Sequence, residues 1–245
     1  MKTSKFKVII AFCIAFTPFN FLRIFLYRSV LGYKITKGSK IGPFNFIVVK
    51  NCDIRNGRIG KFNIIETNNL FVDEKSLIGT FNRFKDIIGV SIGKSTVIRS
   101  NNTFFGTVKD TPYKQFETFS IKDNCTITNA HVFDCSDSII IGSTVIIGGK
   151  ASQFWTHGFT NDRVRIQGPI ILEDNIYVGT RCLFMPAIRV CTDNVIAGGT
   201  TISKSIKESG IYASSKLMKI TEVKKLFNSA DVIVHNNSRY LRKEV

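Results

Sequence analysis

Residues 172–203 read LEDNIYVGTRCLFMPAIRVCTDNVIAGGTTIS, and within them Leu172, Val178, Phe184, Val190, Ile196 and Ile202 stand six apart. An amphipathic helix repeats its apolar face every three to four residues, and a half-buried strand every second residue. A period of six with turn-forming residues between means short strands joined by tight corners, the chain wound into a prism. Each step points one residue inward, and stacked coils bury a column that no single coil buries alone.

Working outward, the spacing recurs in Ile35, Ile41 and Ile47, then in Ile59, Ile65, Phe71 and Leu77. It returns in Ile92, Ile98 and Phe104, in Ile121, Ile127 and Phe133, and in Ile141 and Ile147, with phase slips between the runs. Gly42, Gly60, Gly93, Gly142, Gly148 and Gly179 follow inward positions, where coils approach closely or a corner needs a residue without a Cβ. The expected fold class is an all-β solenoid over residues 35–220, one domain with a cap at each end. Cys125 and Cys182 follow Ile121 and Val178 by four places and read as interior fillers. The six cysteines show no CxxC spacing, which argues against a zinc cage, and the expectation is reduced thiols and no metal.

Residues 1–34 break the pattern. Lys2, Lys5 and Lys7 precede an uncharged run from Val8 to Leu22 that is interrupted by Pro18, and Arg23 and Arg28 follow among aromatic and aliphatic residues. The run is short of the roughly 20 residues a spanning helix needs, and it lacks a small-x-small cleavage site. It reads as an apolar helical hairpin or bent helix. One role is a cap on the first coil, and the other is an interfacial anchor with its basic residues on anionic lipid at the inner face of the cytoplasmic membrane. At the far end Thr221 opens a segment with Val223, Leu226 and Phe227 at helical spacing, so residues 221–245 are expected as a helix and a polar tail.

The formal charge of +16 calls for an anionic partner. No RNP-like sequence, zinc-finger spacing or long Lys/Arg block accompanies it, which argues against nucleic acid. Chemistry belongs where the repeat is interrupted, because loops leaving a rigid scaffold carry binding and catalytic groups. Residues 106–118 form one interruption and residues 151–169 the other. The second holds the only tryptophan, Trp155, beside His157, and Arg163 and Arg165 join Trp155 as candidate acceptor-binding residues. His131 stands four places after Ile127, with Asp134 three residues on. It reads either as a buried, hydrogen-bonded histidine or as a second site residue, and Asp134 as a carboxylate able to orient an imidazole. His235, in the polar tail, reads as solvated.

The string PIILEDNIYVGTRCLFMPAIRVCTDNVIAGGTTISKSI, followed by IYASSKLMKI, resembles the end of the hexapeptide-repeat acyltransferases, including the maltose and galactoside acetyltransferases. QFWTHGF with the upstream HVFD resembles a subgroup that acts in surface-polysaccharide biosynthesis. The resemblance implies a left-handed parallel β-helix, a homotrimer, and acetyl-CoA as co-substrate bound between subunits. It implies transfer to a sugar hydroxyl or amine, with His157, at the family's base position, as general base. The coenzyme contacts it implies fall on Tyr177, on Gly198, Gly199 and Thr200, and on Ser203 and Lys204. Lys216 and Lys219 offer charge where the family's last motif is altered. A γ-class carbonic anhydrase shares the solenoid but needs three histidines on zinc, and this chain has only His131, His157 and His235. A non-catalytic scaffold in a membrane-associated polysaccharide assembly is the rival reading.

Overall fold

Short strands, from the two-residue Lys34–Ile35 to the ten-residue Arg83–Ile92, wind into coils in which each strand pairs in parallel with those of neighbouring coils. The computed structural model describes residues 5–108, 111–159, 161 and 164–213, with the backbone of Met218–Lys219, Ile233–His235 and Ser238–Tyr240. One wall stacks Lys40–Ile41, Arg58–Ile59, Leu77–Ile78, Val97–Ile98, Thr126–Asn129, Ile146–Lys150, Ile176–Val178, Asn194–Ile196 and Gly210–Ala213 in that order. Leu172, Val178, Phe184, Val190, Ile196 and Ile202 are all buried in the core, as are Cys125 and Cys182. A Cβ on Gly42 would run into the carbonyl of Gly60, so the coils close up there only around glycine.

Two expectations are corrected. Phe71 and Leu77 are not core residues; Leu70, Val72 and Ile78 point inward instead. Ile64–Val72 runs through without a corner, and two consecutive outward residues, Asn68 and Asn69, shift the alternation by one. The second interruption is also shorter than residues 151–169. Gln153–Trp155 is a wall strand paired with Val132–Asp134 and Leu183–Phe184, and Phe154 is core. Phe84, Phe104, Phe133, Phe154 and Phe184 stack face to face at 4.3, 4.4, 4.7 and 4.4 Å. At the other end, the expected C-terminal helix lies outside the described residues as far as residue 232. Ile233–His235 pairs antiparallel with Ser238–Tyr240, so the segment's end and the polar tail form strands.

The N-terminal segment is two helices, α1 (Lys5–Ala15) and α2 (Asn20–Ser29), with Pro18 between them. They cover the open edge of the first coil. A bare edge would leave its N–H and C=O groups unpaired. Asn20 Oδ1 accepts the Ile41 N–H at 2.8 Å, and Arg23 donates to the Ile41 carbonyl from Nε at 3.0 Å and Nη2 at 2.9 Å. Phe44 N–H bonds the Ala15 carbonyl at 2.7 Å. Arg23 is therefore buried against the coil, which takes it away from the lipid-facing role expected of it. No helix among the described residues is long and apolar enough to cross a membrane.

One corner is held by a ladder of buried side chains. Asn63, Asn82 and Asn102 each donate their backbone N–H to the Oδ1 of Asn45, Asn63 and Asn82 respectively, at 2.8–3.0 Å. His131 is the next rung: its N–H bonds Asn102 Oδ1 at 2.9 Å, and its own Nδ1 accepts Ser152 N–H at 3.1 Å. Ser152 Oγ in turn accepts Cys182 N–H at 3.1 Å. Nδ1 does what an asparagine oxygen does one coil below, so the ring must be neutral there. Burial pushes its pKa down to about 4.

A histidine held neutral in the fold and charged at about 6.5 when unfolded lends stability above pH 6.5 that is lost as pH falls toward 4. The loss amounts to about 3 kcal/mol at most. His131→Asn keeps an acceptor in the rung and removes that titration. Urea unfolding of the two proteins between pH 7 and pH 4 is expected to show a shallower decline for the variant, and parallel declines would refute the assignment.

Candidate active site

The site forms where two walls part. Phe46–Ile54, Ile64–Val72 and Arg83–Ile92 each span two walls as one continuous strand. Arg83–Ile92 then forks: its residues 83–85 pair with Thr103–Phe105, and its residues 89–92 pair with Thr118–Ile121. Beyond the fork the two stacks are separate and the corner between them is open. Both excursions leave there. The first is latched by buried Glu117, which takes Lys114 Nζ at 2.8 Å and Thr107 N–H at 2.9 Å. The second is a hairpin of His157–Phe159 against Arg165–Gln167.

His157 and Asp134 meet at this corner. Val132–Asp134 and Gln153–Trp155 are paired strands of adjacent coils, so the residues just past their ends lie one coil rise apart, about 4.8 Å. Asp134 is fully buried. A buried carboxylate must be met by donors, and four meet this one. Oδ1 accepts Ser136 Oγ at 2.6 Å and Ser136 N–H at 3.2 Å, while Oδ2 accepts Thr156 N–H at 3.1 Å and His157 Nδ1–H at 2.5 Å. The threonine hydroxyl donates to the Asp134 carbonyl at 2.7 Å and accepts Asp137 N–H at 2.8 Å. With Nδ1 fixed, Nε2 is the ring's remaining acceptor, and among the described residues nothing bonds it. The His157 side chain is 23% exposed. Trp155 and Phe159 flank its ring at 6.4 and 5.8 Å, both edge-on.

In an antiparallel pair, opposite residues point to the same face. His157 faces Gln167 and Phe159 faces Arg165, so these four share one face. Gln167 Nε2 ties the hairpin to the corner through the Ser136 carbonyl at 3.3 Å and Asp137 Oδ2 at 3.4 Å. Arg165 is half-buried, and its Nε and Nη2 are shielded from solvent with no hydrogen-bond partner among the described residues. Ser136, Thr156 and Gln167 went unread in the sequence. The D-x-S spacing of Asp134 and Ser136, a side chain capping its own turn, is the signal that marks the first of them.

His131 does not join the site. It sits at the opposite end of its strand from Asp134, about 10 Å away at strand rise. Its Nδ1 accepts Ser152 N–H and its Nε2 bonds Thr128 Oγ1 at 2.9 Å, which leaves no ring nitrogen for a substrate proton. Cys135, beside Asp134, is no nucleophile: burial, then the nearby Asp134 and Glu117 charges, push its thiol well above the usual range.

The residues implied for coenzyme binding divide. Thr201–Ile202 pairs with Leu183–Phe184, which pairs with Gln153–Trp155, so exposed Ser203 and Lys204 lie on the His157 corner two coils away, about 10 Å. Gly198 and Gly199 occupy the other end of that wall, Gly199 with φ +76. Thr200 is buried and donates its hydroxyl to Ala197 O at 2.6 Å, which makes its side chain a part of the corner. Tyr177 is exposed on the adjoining wall, its ring against Gly148. Arg163, Lys216 and the Lys219 side chain lie outside the described residues. Among the described residues no three of His, Cys, Asp and Glu converge as ligands for a metal ion.

No protein-family model matches the chain, and no curated protein matches it in sequence. Solved structures do match. UDP-N-acetylglucosamine acyltransferase from Campylobacter jejuni aligns with a TM-score of 0.50 at 12% identity, over 81% of this chain and 77% of that one. Polysialic acid O-acetyltransferase OatWY aligns at 0.49 and 14% identity, over 80% and 89%. A maltose O-acetyltransferase from Clostridium difficile 630 aligns at 0.46 and 16% identity, over 57% and 70%. At these identities the likeness is one of fold, the parallel β-solenoid of the hexapeptide-repeat acyltransferases.

His131 and His157 should hold their protons on opposite nitrogens. Nitrogen NMR of the neutral rings is expected to show His157 as the Nδ1–H tautomer and His131 as Nε2–H. A His157 signal with the proton on Nε2 would break the dyad.

Proposed function

We propose that this protein is an acyltransferase that moves an acetyl group from acetyl-CoA to a hydroxyl, in preference to an amine, of a sugar in a cell-surface polysaccharide. The observation that carries the reading is the buried, four-times-bonded Asp134 holding Nδ1 of His157 while Nε2, on an open corner of the solenoid, has no partner among the described residues. The shared fold supports it, since the solved structures it matches include enzymes named for acyl transfer to sugars.

A sugar hydroxyl is a poor nucleophile at neutral pH. Nε2 takes its proton as the oxygen attacks the thioester carbonyl carbon; the carbon–sulfur bond breaks, and the same nitrogen returns the proton to the departing thiolate. Asp134 keeps the proton of the neutral ring on Nδ1 and stabilises the imidazolium while it lasts. No covalent acyl-enzyme is required. Lys204, exposed on the same corner, suits a coenzyme phosphate. The Nε and Nη2 of Arg165, without a partner among the described residues, favour an acceptor that brings a carboxylate or phosphate to the hairpin. In the homotrimer of this reading, a neighbouring subunit closes the open corner.

Mass spectrometry of the surface polysaccharide from cells with wild-type protein or His157→Ala, at equal abundance, tests the reaction. Loss of the acetyl mass is expected, with a fall of about 10²- to 10⁴-fold in transfer by purified protein. A fully acetylated glycan from the variant would favour the scaffold reading. Arg165→Gln is expected to raise KM for an anionic acceptor by about tenfold to a hundredfold with kcat nearly kept. An unchanged KM would remove Arg165 from acceptor binding.

A further inference from the structure

The first coils carry a second phenylalanine ladder, on the outside. Phe44, Phe62 and Phe81 stack face to face at 4.9 and 5.0 Å, yet they are 41, 42 and 56% exposed. Phe16 of α1 abuts Phe44 at 5.5 Å, and Phe12 abuts Phe16 at 4.9 Å, so the ladder continues into the cap helix. Phe6 and Ile9 extend the exposed apolar face of α1.

These rings sit where the backbone disfavours them. Phe44, Phe62 and Phe81 have φ of 60, 56 and 57, the left-handed region, which is unfavourable for bulky side chains. In later coils the same corner position is held by Asn101, Ala130, Ala151, Arg181 and Gly199. Three successive rungs thus accept a strained backbone and expose an aromatic ring to water, and the monomer gains only their mutual stacking.

The surroundings are strongly basic. From Lys5 to Phe81, the span that carries the ladder, the chain has twelve Lys and Arg against four acids, Asp53, Glu66, Asp73 and Glu74. Arg28, Lys34 and Lys37 line a groove of about 1000 Å³ between α2 and the first coil, together with Phe21 and Phe25. A second copy docked face to face would bring like charge onto like charge. An apolar stripe on the basic end of the solenoid instead matches an anionic bilayer, with rings at the acyl boundary and cations on the headgroups.

We propose that the Phe44–Phe62–Phe81 ladder, continued by Phe16 and Phe12, is a docking surface for an anionic lipid bilayer, on which the solenoid lies by this corner. The inference stands independently of the acyl-transfer reading. It enlarges the expected anchor: the β-helix itself contributes to the contact, and the N-terminal helices do not act alone.

The test is flotation of the full-length protein with vesicles of phosphatidylcholine, with or without phosphatidylglycerol. The variant is Phe44→Asn, Phe62→Asn and Phe81→Asn together, because asparagine suits the left-handed backbone and leaves folding intact. Wild-type protein is expected to float with the anionic vesicles and to be released by salt. The triple variant is expected to partition at least tenfold more weakly, with an unchanged melting temperature or a higher one. Wild-type protein that ignores anionic vesicles, or a variant that binds them equally well, overturns the proposal. So does a variant whose oligomeric mass falls in light scattering while vesicle binding persists, which would make the ladder a contact between copies of this chain.

Discussion

Successive coils must return at the spacing of paired strands, about 4.8 Å, and whatever fills the interior has to repeat at that distance. Stacked phenyl rings do. The buried column of Phe84, Phe104, Phe133, Phe154 and Phe184 keeps ring separations of 4.3–4.7 Å. Phe133 immediately precedes Asp134, and Phe154 lies three residues before His157. The 2.5 Å contact between carboxylate and imidazole is therefore set by one step of this stack, although neither residue belongs to it. A carboxylate–imidazole pair on two loops would have to order itself; this pair inherits its geometry from the core.

The two histidines show how the same side chain is turned to opposite uses by its partners. His131 lends an acceptor to a backbone ladder and is buried, so its neutral state is a condition of the fold. His157 gives its Nδ1–H to a carboxylate and keeps its other nitrogen at a half-open corner. In one case the chain consumes the acceptor, and in the other the acceptor is left unbonded among the described residues.

The period of six was plain in the sequence because inward positions admit few residue types, and it failed where the walls join. Phe71 and Leu77 keep the spacing of six from Ile65, but Asn68 and Asn69 add an outward residue that spacing cannot reveal. Phe154 was hidden by its polar neighbours Ser152 and Gln153. The asparagine ladder was harder to see, because isolated asparagines read as ordinary turn residues. Its last rung is not an asparagine, and the equivalence of Nδ1 with Oδ1 emerges only when His131 stands above Asn102. Asp134 and His157 are 23 residues apart, a separation that means contact only once the length of that coil is known. His157 was readable from motif resemblance, and the donors that hold Asp134 were not.

The cap has a consequence for how the chain reaches this state. Asn20 and Arg23 saturate the lower edge of the first coil, and every later coil bonds the edge left by the one before it. On the ribosome the capped end emerges first, so each new coil meets a finished template and needs only its nearest neighbour to settle. Synthesis and assembly run in the same direction, and at any moment just one growing edge is exposed to other nascent chains.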